Sequence, residues 1–228
     1  MIFEVIAHNL TDVKHAKQYG ADRIELVQSM VEGGITPSYG LIKKAVESVD
    51  TKINVIIRPH NKSFVYTEDD MEEMLADIAI VKQLGANGIV IGPMTQDGKV
   101  NEAQLQRLLE QAEGLDVTFH RGIDVASDQF EALETIMKYK QITTILTSGG
   151  TDRVTDMNSN IKKLVKKTKG THLTIMPGSG VHLETLQSFV ADIHPGAIHI
   201  GSGIRTDNSF NENISEEKMK IALDIIRE

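Results

Sequence analysis

Short apolar segments alternate with longer amphipathic segments along the whole chain. The apolar segments are rich in Ile, Val and Leu, which is typical of strands buried on both faces of a parallel sheet. They predict strands at 2–7, 23–27, 53–58, 88–92, 116–120, 143–147, 173–176 and 197–200. The segments between them carry apolar residues at helical spacing, as in Met71, Met74, Ile78 and Val81, and therefore predict helices.

This alternation predicts a single-domain (β/α)8 TIM barrel over residues 1–228. A doubly wound sheet is the alternative, but it needs fewer strands and a topological switch point. The segments QYGADRI at 18–24 and QLGANGI at 83–89 are near copies, and each indicates a helix end, a glycine stop and a strand start. Such repetition favours the closed barrel.

Polar residues follow several of the predicted strands, and a parallel barrel brings these strand ends together at one rim. The candidate catalytic residues are Glu25, Arg58, His120, Arg121 and Asp124. His120 is the strongest candidate for proton transfer or metal ligation, because imidazole titrates near neutrality and binds borderline metals. A hydrogen-bonded structural histidine is the alternative.

Glu25 lies between Ile24 and Leu26 in a predicted strand. A buried carboxylate without a partner would cost several kcal/mol, so Arg58 or Arg121 is expected to pair with it. Both an acid or base at the rim and a structural ion pair agree with this pattern.

Glycine-rich loops follow the sixth, seventh and eighth predicted strands. Glycine lets backbone N–H groups approach an anion closely, and the loops after strands seven and eight are the usual phosphate site of this fold. The alternative is that these turns need glycine for conformational reasons. The candidate anion-binding residues are Ser148, Gly149, Gly150, Gly178, Gly180, Gly201 and Ser202.

The composition of the chain excludes several kinds of partner and site. The net charge of −8 argues against a nucleic-acid partner, and no apolar run approaches the roughly 20 residues of a membrane span. The absence of cysteine excludes disulfides, thiolate metal sites and cysteine nucleophiles. These features predict a cytoplasmic protein. Met30, Met94 and Met176 lie near predicted strand ends, and methionine sulfur is a soft ligand suited to Cu(I); core packing is the alternative.

The order of the motifs resembles the CutC copper homeostasis proteins over nearly the whole chain. The matching motifs are Glu25-Leu26, GGITPS at 33–38, IRP at 57–59, TFHR at 118–121 with Asp124, ILTSGG at 145–150, IMPGSG at 175–180, and His199 with Ser202 and Arg205. The resemblance implies a TIM-barrel fold, a cytoplasmic location, a role in copper handling and a homodimeric assembly.

The chain departs from the family pattern at three places. Val27 stands where the family commonly has cysteine, His60 where it usually has arginine, and Gly122-Ile123 where it usually has Ala-Phe. Without the thiolate, copper binding by the family's cysteine route is impossible in this chain.

Two functions are therefore expected. The first is copper homeostasis, with weak copper binding through His120 and Met176. The second is a metal-independent enzyme acting on a small phosphorylated or carboxylated metabolite. In the enzyme, Glu25 or His120 would be the general base, and Arg58 with Arg121 would hold the anion.

Overall fold

The computed structural model describes residues 1–150, 154 and 158–228, in which eight strands and eight α-helices alternate. The strands are β1 (Ile2–Ala7), β2 (Arg23–Leu26), β3 (Lys52–Ile56), β4 (Gly88–Ile91), β5 (Asp116–Phe119), β6 (Ile142–Thr147), β7 (Thr174–Pro177) and β8 (Ala197–Ile200). The helices are α1 (Leu10–Gln18), α2 (Tyr39–Ser48), α3 (Glu68–Gln83), α4 (Glu102–Gln111), α5 (Gln129–Ile136), α6 (Asn158–Thr168), α7 (Leu183–Ile193) and α8 (Glu216–Arg227). The predicted barrel is confirmed.

All the observed strand pairs are parallel, in the order β7-β6-β5-β4-β3-β2-β1-β8. In the described part of the chain, the end strands β7 and β8 lie side by side without a hydrogen-bonded ladder. The third strand ends at Ile56, two residues earlier than predicted. The N–H of Arg58 there bonds the Thr36 hydroxyl at 2.9 Å instead of continuing a ladder.

The helices cover the outside of the barrel and bury their apolar faces against it. Met71, Met74, Ile78 and Val81 of α3 are all buried, as their spacing predicted. Thr67 and Asp70 form a capping box that satisfies backbone N–H groups at the start of this helix. Among the described helices, none is long and apolar enough to cross a membrane.

The two faces of the strands differ in polarity. Outward side chains such as Phe3 and Val5 belong to the main apolar core between strands and helices. Inward positions carry polar and charged side chains that are nonetheless buried, among them Glu4, Arg23 and His199. The barrel interior therefore combines buried charged side chains with small apolar clusters such as that of Ile6, Val27, Ile56 and Val90, and its charges need partners inside the barrel.

A fully buried ion pair fixes the loop that follows β8. The guanidinium of Arg205 bonds the two carboxylate oxygens of Asp12 at 3.1 and 2.9 Å, and it also donates to the carbonyl of Ile6 at 2.9 Å. Neither side chain of the pair is exposed to solvent. This pair ties the segment after β8, which contributes to the rim of the barrel, to α1 and β1.

We expect Asp12→Ala to lower the free energy of unfolding by roughly 3–5 kcal/mol, because it leaves the Arg205 charge buried without its partner. Urea unfolding followed by circular dichroism measures this change. Asp50→Ala is the matched control, since Asp50 pairs with Lys17 on the surface and is largely exposed; we expect little change there. Equal losses in the two variants would contradict a structural role for the buried pair.

Candidate active site

A cavity of about 410 Å³ opens at the carboxyl-terminal rim of the barrel. Its volume lies within the range of small-molecule sites, about 300–1,000 Å³. Its polar lining residues are Glu25, Arg58, His120, Arg121, Ser179, His199 and Ser202. Its apolar lining residues are Ile6, Val27, Met30, Ile56, Phe64, Leu146, Val181 and Phe210. The cavity thus combines a charged rim with an apolar wall that includes two aromatic rings.

Four buried ionisable groups form the floor of the cavity and the layer beneath it. His199 Nδ1 lies 2.7 Å from Glu4 Oε1, and His199 Nε2 lies 3.7 Å from Glu25 Oε2. The Nε of Arg23 donates to the other oxygen of Glu4. His199 therefore lies between two carboxyl groups, of which only Glu25 reaches the cavity.

The pKa values of these groups differ for identifiable reasons. Burial would raise the pKa of Glu4, but the charge of Arg23 and the hydrogen bond from His199 outweigh it and lower that pKa. Glu4 is therefore an ionised acceptor, and His199 donates to it through Nδ1–H. Burial also opposes the imidazolium of His199, yet the bond to Glu4 and the charge of Glu25 raise its pKa.

For Glu25, burial outweighs the compensating charges. Burial, reinforced by the nearby charge of Glu4, raises its pKa from 4.5 to about 7, although the charges of His199 and Arg23 oppose the shift. Glu25 therefore changes its protonation state near neutral pH. The predicted pairing of Glu25 with Arg58 or Arg121 is wrong; its ionic partner is His199.

His120 is held in one orientation by backbone atoms. Its Nδ1 accepts a hydrogen bond from the N–H of Gly122 at 3.0 Å. A Cβ on Gly92 would lie 2.3 Å from Nδ1, so only glycine fits beside this edge of the ring. Phe64 packs on the imidazole with ring centroids 4.7 Å apart. Burial and the charges of Arg58 and Arg121 lower the pKa of His120 to about 3, so the ring is neutral.

Arg58 organises the loop after β2. Its Nη1 donates to the carbonyl oxygens of residues 32, 33 and 34 at 3.2, 3.1 and 2.8 Å. Its guanidinium carbon lies 5.0 Å from the ring centre of Phe64. The side chain therefore positions one side of the cavity and also brings a positive charge to it.

Arg121 and Asp124 act together. Arg121 donates from Nε to Asp124 at 2.9 Å and from Nη2 to the hydroxyl of Ser148 at 3.2 Å. Asp124 also accepts from Ser148 N at 2.9 Å, from Gln129 at 3.1 Å and from the Thr147 hydroxyl. Because its oxygens are occupied and it is not part of the cavity lining, Asp124 positions Arg121.

The predicted anion-binding residues divide into two groups. Gly180, Gly201 and Ser202, from the loops after β7 and β8, line the cavity together with Ser179. The other four, Ser148, Gly149, Gly150 and Gly178, do not belong to the lining. A role of these four in anion binding stays a prediction.

Three of these residues have other contacts in the structure. The Ser148 N–H donates to Asp124, and the Gly149 N–H donates to the Thr147 hydroxyl at 2.9 Å. A Cβ on Gly178 would lie 2.6 Å from Leu146 Cδ1, so glycine there permits close packing.

The two predicted copper ligands lie in different environments. His120 lines the cavity, whereas Met176 is buried outside the lining, where its sulfur accepts a hydrogen bond from Arg23 at 3.3 Å. Among the described residues, no group of three or more His, Asp or Glu side chains is arranged to hold a metal ion. Copper binding by the pair His120 and Met176 stays a prediction.

Sequence reasoning missed Glu4 and Arg23 and left His199 without a role. The signal was the two-residue alternation of the strands: Glu4 has the same phase as Ile6, and Arg23 the same phase as Glu25. Polar side chains at such inward positions must form hydrogen bonds or ion pairs with one another inside the barrel. The alternation does not reveal which pairs form, because partners come from strands distant in sequence.

The raised pKa of Glu25 predicts a pH-dependent stability. A carboxyl whose pKa is about 7 when folded and near 4.5 when unfolded contributes stability fully below the lower value. This contribution disappears as the pH rises through 7. We therefore compare the free energy of unfolding of the wild type with that of Glu25→Gln. The difference, wild type minus variant, should fall by roughly 2–3 kcal/mol between pH 4.5 and pH 8, because one pKa unit corresponds to about 1.4 kcal/mol.

Urea unfolding of both proteins across this pH range measures the difference. Glu47→Gln serves as the control, since Glu47 is exposed on α2 and the hydrogen bonds from Lys43 and Lys44 lower its pKa instead of raising it. A constant difference between wild type and Glu25→Gln would contradict the shifted carboxyl.

The family model for the CutC family matches residues 1–204. A family protein CutC of Parabacteroides distasonis is 39% identical over 200 residues, covering 87% of this chain and 81% of that protein. The human copper homeostasis protein cutC homolog is 32% identical, covering 97% of this chain and 81% of that protein.

Solved structures agree with these matches. The CutC crystal structure from Streptococcus agalactiae has a TM-score of 0.82 and 29% identity, covering 88% of this chain and 98% of that one. A phosphoribosyl anthranilate isomerase from Thermotoga maritima has a TM-score of 0.67 at 16% identity, covering 100% of this chain and 99% of that one, and shares the fold alone. By its sequence and its barrel, the chain belongs to the CutC family.

Proposed function

We propose that the protein is a metal-independent enzyme that acts on a small phosphorylated or carboxylated metabolite at the rim of the barrel. The observation that carries this proposal is Glu25, a buried carboxyl that lines the cavity and has a pKa of about 7. A general acid–base group is most effective when its pKa lies near the working pH. Strongly shifted carboxyls in clefts are characteristic of functional sites.

In this proposal, Glu25 takes a proton from the substrate and returns it. His199 is the ionic partner of Glu25 in this step. Its Nδ1 lies 2.7 Å from Glu4 Oε1, and its Nε2 lies 3.7 Å from Glu25 Oε2. When Glu25 is ionised, a protonated His199 stabilises it; when Glu25 takes the substrate proton, His199 keeps its own proton and stays paired with ionised Glu4. The proton can therefore move without leaving an isolated buried charge.

The anionic end of the substrate would bind on the side formed by Arg121 and the loops after β7 and β8. Ser179, Gly180 and Ser202 line the cavity there, where TIM barrels usually bind phosphate. The Arg121 side chain is about one-third exposed, at 36%, so a ligand can reach it. Arg58 adds a second positive charge to the cavity.

The remaining expectations about the protein's surroundings rest on its sequence. The net charge of −8 supports the lack of a nucleic-acid partner, and the lack of a long apolar run supports the lack of a membrane partner. The absence of cysteine agrees with a cytoplasmic location. The homodimer implied by the family resemblance stays a prediction.

Anion binding is tested by thermal unfolding with inorganic phosphate, phosphoglycolate and malonate. A ligand at one hundred times its Kd should stabilise the folded chain by about 2.7 kcal/mol. We expect stabilisation of the wild type and of Glu25→Gln, and its loss in Arg121→Ala, each measured against its own ligand-free sample. Arg107→Ala, on the exposed face of α4, is the arginine control. No stabilisation by any of these anions, or equal stabilisation of Arg121→Ala, would contradict the proposal.

Copper binding is the second candidate function. It is favoured by the name of the human relative, a copper homeostasis protein cutC homolog, and by two donors in the cavity. His120 Nε2 has no hydrogen-bond partner in the described part of the chain, and Met30 also lines the cavity. Against it stands Val27, which lines the cavity at the position where the family commonly has cysteine.

An anaerobic Cu(I) competition titration separates the two functions. The metal-independent proposal expects no stoichiometric binding above background in the wild type. Tight binding that is lost in His120→Ala and Met30→Leu, and retained in Met176→Leu, would instead establish a cysteine-free copper site in the cavity. Met176→Leu is the matched control because Met176 lies outside the lining.

A further inference from the structure

The imidazole of His120, a residue that lines the cavity, carries its proton at one defined nitrogen. Its Nδ1 accepts from the Gly122 N–H at 3.0 Å, so the single proton of the neutral ring lies on Nε2. The edge with Nδ1 and Cε1 packs against Gly92. Nε2 is the remaining ring nitrogen, and His120 is one of the residues that line the cavity.

This N–H group is buried and unsatisfied. His120 Nε2 has no partner among the described residues and almost no contact with solvent. A buried donor without an acceptor is destabilising, and such a group in a native site calls for an explanation. An oxygen atom of a bound ligand would satisfy it.

The surroundings of His120 favour negative charge on that oxygen. Arg58 and Arg121 both line the cavity, and the charges of both disfavour protonation of the ring. The same positive field stabilises an oxyanion that bonds to Nε2–H. Pre-oriented donors of this kind are most effective where charge develops during the reaction.

Resting on the proposed function, we propose that the site moves a proton to and from a carbon next to a carbonyl group. Glu25 is the base, and neutral His120 donates through Nε2–H to the carbonyl oxygen. The substrate class is a small sugar-like hydroxy-carbonyl compound that carries a phosphate or carboxylate group.

The step balances without a co-reactant. The Glu25 carboxylate takes the proton from the carbon that carries the hydroxyl group. The C–H electron pair forms a C=C bond, and the C=O electrons move onto the oxygen beside His120. The hydroxyl proton then passes to that oxygen, and Glu25 returns its proton to the former carbonyl carbon. The carbonyl and hydroxyl groups have exchanged places, so one carbon is oxidised and its neighbour is reduced.

The state of His120 is tested without any substrate. In protein labelled with 15N histidine, NMR should show a His120 ring that stays neutral, with its proton on Nε2, from pH 5 to pH 8. His120→Gln identifies the signal by its absence. A ring that titrates in this range, or that carries its proton on Nδ1, would overturn the assigned role.

The reaction is tested by 1H NMR in D2O with three- to six-carbon aldose and ketose monophosphates. We expect at least one compound to exchange the proton next to its carbonyl group. Glu25→Gln should slow the exchange by roughly 10²–10⁴-fold. His120→Ala should slow it by about 10²–10³-fold, and His120→Gln, which restores an N–H donor, should recover part of the rate. His15→Gln, on α1, is the histidine control.

The outcomes separate this inference from the function on which it rests. Phosphate binding without exchange in any sugar phosphate would overturn the reaction but leave an anion-binding enzyme site. Absence of both phosphate binding and exchange would overturn the proposed function as well. Exchange that is unchanged in His120→Ala, or that His120→Gln fails to recover in part, would remove His120 as the donor.

Discussion

The structure depends on the neutralisation of charge inside the barrel. Glu4, Arg23, Glu25 and His199 are all almost completely buried, and each would cost several kcal/mol without a partner. Arg23 also contacts Asp116 and Thr144 at 3.5 Å, so one guanidinium joins side chains from β1, β2, β5 and β6. The same contacts that compensate this charge also connect these strands across the barrel interior.

This charge balance also sets the chemistry of the rim. Glu4 is stabilised as an anion by Arg23, and it fixes which nitrogen of His199 faces Glu25. Glu25 forms no ion pair with an arginine, and its ionic partner is His199. The base proposed for catalysis is thus the one carboxyl of the network that opens onto the cavity.

Close packing of side chains against glycines shapes the rest of the site. His120 fits because Gly92 and Gly122 have no side chains, so the imidazole can lie directly against the chain. At the other side of the rim, a Cβ on Gly201 would lie 2.7 Å from the ring of Phe210. These close approaches give the cavity its shape without flexible side chains, which agrees with a site that must hold a ligand in one orientation.

The sequence by itself determined the barrel, because the alternation of apolar strands and amphipathic helices is a local pattern that each segment carries independently. It also placed Glu25, Arg58, His120 and Arg121 at one rim, since parallel strands bring their carboxyl ends together. Only the tertiary structure decided the pairings: Glu25 with His199, Asp124 with Arg121, and Met176 with Arg23. Glu25 and His199, like Arg23 and Met176, lie far apart along the chain, and Asp124, only three residues from Arg121, is held by Thr147 and Ser148 at the end of β6. The geometry of all three pairs therefore depends on barrel closure and on side-chain packing, which no local pattern encodes.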